Sequence, residues 1–160
     1  MAACGGKKDA PAANEQANAS ATEEVTNEPG EAAESQKAAL AEATTFDKVS
    51  FAVTVPEGWT INEEASTMVD AGINGKSITS RANPGSMEAC VNTYINLGYQ
   101  ALDDVTVNGV TYKVLYHEAS KACMFCTPRA DKDEYFSVYG VNITPDDADV
   151  KTLLGNITLK

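Results

Sequence analysis

Phe46 divides this chain into a stretch that cannot build a core and a stretch that must. Residues 1–45 contain no aromatic side chain, and Val25 and Leu40 are the only large aliphatic residues between Gly5 and Thr45. Ala, Glu, Asn, Gln, Ser and Thr make up most of the remainder. Such a segment cannot remove enough apolar surface from water to offset the entropy of ordering it. Residues 1–45 are therefore expected to be a disordered acidic tether. As a flexible coil, the 41 residues from Gly5 to Thr45 span roughly 35 Å root-mean-square. Glu31–Ala43 has helical propensity but no apolar stripe, so it is not expected to dock. Residues 46–160 read as one folded domain. Its 115 residues suffice to bury about two-thirds of the unfolded surface, enough to fold without a metal or crosslinks.

Charge removes two classes of partner. The formal net charge is −11. The first 45 residues hold three lysines and eight acids, and the remaining 115 hold nine basic and fifteen acidic residues. Both parts are acidic, so neither offers the basic surface that displaces counterions from nucleic acid. Attraction to anionic lipid headgroups is disfavoured for the same reason. No run of 18 or more apolar residues is present to span a bilayer.

Periodicity after Phe46 outlines the domain. Val49, Phe51, Val53 and Val55 recur with period two and read as a strand, stopped by Pro56-Glu57-Gly58. Trp59 and Ile61 open a second strand. Thr67–Ile73 and Lys76–Arg81 flank Asn74-Gly75, a pair suited to the positive-φ sites of a type I′ hairpin turn. Asn83-Pro84-Gly85 ends that strand, and Ser86 can cap a helix with Met87, Cys90, Val91, Tyr94 and Ile95 on one face. Asn108-Gly109 joins Val105–Val107 to Val110–His117 in a second hairpin. Lys121–Thr127 and Tyr135–Ile143 form a third, around Asp131-Lys132-Asp133. Thr144-Pro145-Asp146-Asp147 then offers an N-cap, a proline at the first helical position and acids in the first turn. Val150, Leu153, Leu154 and Ile157 form that helix's stripe. Hairpin connections imply antiparallel pairing, and two amphipathic helices need a sheet to cover. The expected class is α+β: an antiparallel β-sheet of about six to seven strands with two main helices packed on it.

Four segments give residues 46–160 a resemblance to the PsbP-like family. They are Val55-Pro56-Glu57-Gly58-Trp59 after a Phe-containing strand, the helix at Ser86–Leu97, the Val107-Asn108-Gly109-Val110 hairpin followed by Tyr112, and an aromatic strand before Leu153-Leu154. The resemblance implies an antiparallel sheet sandwiched by helices, an α/β/α arrangement shared with a nuclear-import factor that binds Ran. It implies an adaptor or interaction module, and it carries no catalytic residue onto this chain.

The N-terminus points to a location. Met1-Ala2-Ala3-Cys4-Gly5-Gly6 resembles the end of a lipoprotein signal peptide, where a Leu and two small residues precede the lipid-bearing Cys. Met1 stands where the Leu would be, so the chain is read as starting just inside the signal. Cys4 is then the lipidation site. Acyl chains contribute about 0.8 kcal/mol per buried CH₂, enough for stable anchoring when two or more are attached. The protein is expected to be extracytoplasmic and anchored to the bacterial cell membrane through its N-terminal lipid.

Candidate chemistry in the domain is sparse. Cys123-Met124-Phe125-Cys126 is a CxxC, but redox CxxC motifs open a helix, and here the surroundings read as a strand whose residues three apart face opposite ways. Cys90, Cys123 and Cys126 read first as simple buried thiols and secondly as candidate disulfide residues, with Cys90 the favoured partner of either of the other two. The spacing of these cysteines with His117 fits no zinc finger or ribbon. His117, the only histidine, reads as a structural residue at a strand end, and Glu118 and Ser120 lie too near it in sequence to define a triad. The acids around Asp131 and Asp146 lack the glycine and distal glutamate of a calcium loop. No metal and no cofactor are expected. Tyr112 and Tyr116 share one strand face, as do Tyr135 and Tyr139, and these four form a candidate binding patch. The favoured function is a membrane-anchored binding or adaptor module for a protein or envelope ligand, with the domain monomeric. The alternative is a structural or transporter-accessory envelope component, and a redox or hydrolytic enzyme ranks last.

Overall fold

The computed structural model describes residues 37–160. Cys4 and most of the acidic tether lie outside them. The described residues form an α+β unit with ten strands, two helices and one short 3₁₀ turn. Three strands, β1 (Thr44–Asp47), β2 (Phe51–Val55) and β10 (Ile157–Leu159), make a small sheet in the order β1-β2-β10. The other seven are β3 (Thr60–Ala65), β4 (Met68–Ile73), β5 (Lys76–Pro84), β6 (Gln100–Val107), β7 (Val110–His117), β8 (Ala122–Pro128) and β9 (Glu134–Val141). They form one antiparallel sheet in the order β3-β4-β5-β9-β8-β7-β6. Helix α1 (Met87–Asn96) follows β5, and α2 (Ala148–Gly155) follows β9.

Side-chain alternation sorts the core into two layers. Val69, Ala71, Ile78, Ala82, Tyr112, Val114, Cys123, Phe125, Phe136 and Val138 point to one face of the large sheet, where Phe51, Val53 and Val55 of β2 and Val150, Leu153 and Leu154 of α2 meet them. Leu115, Met124 and Cys126 point to the other face, under Val91 of α1. Every side chain from Ala122 to Thr127 is buried, because β8 is covered on both sides. Its continuous run Ala122-Cys123-Met124-Phe125-Cys126 is the pattern of a doubly covered strand rather than of an alternating one.

Local chemistry accounts for the joints. Asn74 (φ 50°) and Gly75 (φ 77°), like Asn108 (φ 50°) and Gly109 (φ 83°), adopt the left-handed conformations that two-residue hairpins require. Ser86 Oγ accepts from the backbone N–H groups of Glu88 and Ala89 and caps α1. Asp147 Oδ1 accepts from Asp149 N–H at 3.0 Å and caps α2. The Lys76 ammonium donates to Asp147 at 3.0 Å and Asp149 at 2.6 Å, which clips the β4–β5 turn to that helix start. Bonds to Asp149 and then Asp147 raise the lysine pKa.

The structure departs from the sequence expectation at five places. Val49 is 72% exposed, because Lys48 N–H bonds Phe51 O at 2.7 Å and the chain reverses there. Ile95 is 44% exposed, since Tyr94 and Tyr99 occupy the interface near the last turn of α1. Asp147, not Thr144, caps α2, because Asp147 N–H first closes a turn onto Thr144 O at 3.1 Å. Ile157 lies beyond α2 and pairs with Val53 in the small sheet. The compact unit begins at Lys37 rather than Phe46. Leu40 packs on the core and exchanges backbone bonds with Trp59 O (2.7 Å) and Gly58 N–H (2.9 Å), so a single leucine suffices to dock this stretch without a helical stripe.

Gly140 marks the tightest packing in β9. A Cβ there would meet Ile143 Cδ1 at 2.1 Å, and Ile143 is itself buried. Gly140→Ala is expected to cost about 2 kcal/mol through overpacking, with part of the loss recovered on adding Ile143→Val. Urea unfolding of the two variants checks this, and an unchanged midpoint for Gly140→Ala would contradict the packing.

Candidate functional site

The six tyrosines divide between the two faces of the large sheet. Tyr112 is 1% exposed within the larger core layer, and Tyr116 packs at the edge of the same layer. Tyr135 and Tyr139 lie on the opposite face, beneath α1. The candidate patch of Tyr112, Tyr116, Tyr135 and Tyr139 is thus corrected. Each pair shares a face as its spacing requires, but the pairs are separated by the sheet, and Tyr112 is core. Burial raises its hydroxyl pKa to about 12.

A different aromatic group assembles near the C-terminal end of α1. Tyr94 meets Tyr99 edge-on with centroids 4.9 Å apart and lies 6.2 Å from Tyr139. The Tyr99 and Tyr139 hydroxyls bond each other at 2.9 Å. Burial, then the bond to Tyr139, raises the pKa of Tyr99. Tyr99 also packs 5.0 Å from the His117 ring. The loop after α1 brings Tyr99 to the start of β6, and the register places Gln100 opposite Tyr116, next to His117. Sequence periodicity could not find this group, because it joins the helix, the loop after it and two strands that are not sequence neighbours.

His117 is held by its own turn. Its Nδ1 accepts from Ser120 N–H at 3.3 Å and lies 2.7 Å from Ser120 Oγ, capping the 3₁₀ turn Glu118–Ser120. With Nδ1 accepting from the backbone, the neutral ring carries its proton on Nε2, and the serine hydroxyl donates to Nδ1. Ser120 thus does meet His117, as a local cap. The imidazole edge and Gly98, Gln100, Glu118 and Ala119 line an open pocket of about 390 Å³. Among the described residues, Ile95, Leu97 and Leu102 are three of the five exposed large apolar side chains, and Leu97 is 64% exposed. Ile95 and Leu97 immediately precede Gly98 of that pocket, whereas Leu102 pairs with Val114 and faces the other side of the sheet. A second open cavity of about 610 Å³ runs along β6 and includes Leu102, Val105, Pro145 and Lys151.

The three domain cysteines are free thiols. Cys123 faces the larger core layer, and Cys126 faces α1 with Cys90. The CxxC therefore spans the sheet, and its two sulfurs cannot join. Burial pushes the Cys123 and Cys126 thiols up to about 12, away from the thiolate form that redox chemistry needs. Among the described residues no cluster of three or more His, Cys, Asp or Glu could hold a metal ion, and no helix is long and apolar enough to cross a membrane. Compared with known proteins, the chain matches no family model, no curated protein and no solved structure.

Two outcomes follow. Tyr99→Phe leaves the Tyr139 hydroxyl without its partner and should cost about 1–2 kcal/mol, whereas the Tyr99→Phe/Tyr139→Phe double variant should recover much of it. A thermodynamic cycle by denaturant unfolding tests the pair, and strict additivity would sink it. Cys123, Cys126 and Tyr112 bind their protons more tightly folded than unfolded. Their stabilisation is intact below about pH 9 and lost as pH climbs toward about 12. The unfolding midpoint should fall across that window, and a flat profile would count against sealed thiols.

Proposed function

We propose that this chain is a lipid-anchored extracytoplasmic protein whose domain binds a protein or another envelope component. The binding surface in this reading is formed by residues 95–100 with His117. The carrying observation is the exposure of Ile95 and Leu97 at the end of α1, immediately before Gly98 of the pocket that Gln100 and His117 also edge. Exposed apolar side chains flanking a polar concavity suit a partner that supplies both apolar contact and a hydrogen-bond acceptor for the imidazole N–H. The Tyr94–Tyr99–Tyr139 group beneath supports this surface from behind, which favours recognition by a preformed site. The anchoring half rests on Cys4, preceded by two alanines and separated from the compact unit by 32 residues. The PsbP-like resemblance of residues 46–160 belongs to the same proposal, since that family implies adaptor modules.

Each half has its own test. In a bacterial host supplied with a clickable palmitate, the chain fused behind a lipoprotein signal peptide should be labelled and sediment with membranes. Cys4→Ser should abolish both, and label on the Cys4→Ser chain would refute the anchor. For the surface, partner capture by crosslinking from native membranes should fall at least tenfold with Leu97→Asp, which leaves the core untouched. Undiminished recovery would move the binding site elsewhere.

A further inference from the structure

We propose that Cys90 and Cys126 are a disulfide-forming pair, the one crosslink this domain can close, and that Cys123 stays a thiol. The sheet decides the partners. Cys123 lies in the layer under β2 and α2, so the sheet itself stands between its sulfur and those of the other two. Cys90 and Cys126 occupy the same layer, between α1 and the opposite face. Val91, next to Cys90 on α1, is buried in the cluster that holds Cys126, so the helix seats on β8 at this level. Tyr135 ties the two positions together. It packs on the same buried cluster as Cys90, and it stands two residues from Ser137, the register partner of Cys126. That makes it a same-face diagonal neighbour of Cys126.

Accessibility sets the order of events. Cys90 is half-buried at the helix edge, whereas Cys126 is sealed, its only bond a weak 3.8 Å contact to Lys113 O. With a small disulfide as oxidant, the Cys90 thiolate attacks one oxidant sulfur, forming a mixed disulfide and expelling one thiolate. Cys126 then gives up its proton and attacks the Cys90 sulfur, closing the bond and expelling the second thiolate. Two domain thiols are oxidised, one oxidant disulfide is reduced to two thiols, and their protons are transferred. The bond would fasten α1 to β8 over the tyrosine group and enclose the β6–β7 hairpin. An oxidising location belongs to the anchored reading above, but the pairing itself does not depend on it.

The test supplies its own oxidant, so its result is independent of where the protein resides. The full chain carrying Cys4→Ser is equilibrated with millimolar oxidised glutathione, acid-quenched, unfolded, alkylated and analysed by peptide mass. One alkylated thiol at Cys123 and a linked Cys90–Cys126 peptide are expected, with Tm raised by about 10 °C. Three free thiols, Cys90 halted as its glutathione adduct, or any link through Cys123 overturns the pairing. Cys123→Ala provides a second chain that must give the same linked peptide.

Discussion

The seven-stranded sheet has two apolar faces, and the need to cover both organises the rest of the molecule. β8 feels this most, since every residue from Ala122 to Thr127 is buried. Its neighbours β9 and β7 share the load, with Phe136 and Val138 on one side and Leu115 on the other. Both coverings are built from parts distant in sequence. β2, from the start of the unit, and β10, from its end, pair with each other before they close over one face. α1, from the middle, closes the other. The fold is thus completed only when its first, central and last segments have all arrived.

Most of this architecture was legible because hairpins carry local signals. Asn74-Gly75 and Asn108-Gly109 sit at the turns their conformational freedom predicts, and Ser86 caps the helix that its position announces. The strand reading of the CxxC also stands, since alternation alone separates Cys123 from Cys126. What escaped was non-local. Nothing in the spacing of Val49 distinguishes it from Phe51, yet a backbone turn removes it from the strand. Nothing in the composition around Leu40 marks it as core, because its partner Trp59 lies beyond β1 and β2.

The candidate site shows the same limit more sharply. Strand periodicity pairs Tyr112 with Tyr116 and Tyr135 with Tyr139 correctly, but it cannot tell which face each pair takes once strands join in the order β9-β8-β7. The group beneath α1 needs that order, because Tyr99 and Tyr139 are 40 positions apart and touch through their hydroxyls. Ser120 was dismissed for lying too near His117, and the structure makes that proximity the point: the serine fixes the tautomer and aims the ring edge at the pocket. A short-range contact that is useless as a triad serves as a mount for a half-buried imidazole.

Leu40 has a mechanical consequence. It is the first residue of the unit to pack on the core, and it is held by one bond to Trp59 O and one from Gly58 N–H. Any tension applied to the chain on the N-terminal side of Lys37 enters the domain at those two bonds. Ahead of them the next attachment is β1, in register with β2 over four residue pairs. Load would therefore strip Leu40 from the core first, leaving the large sheet intact. Under such a load the lead-in segment would yield before the rest of the unit.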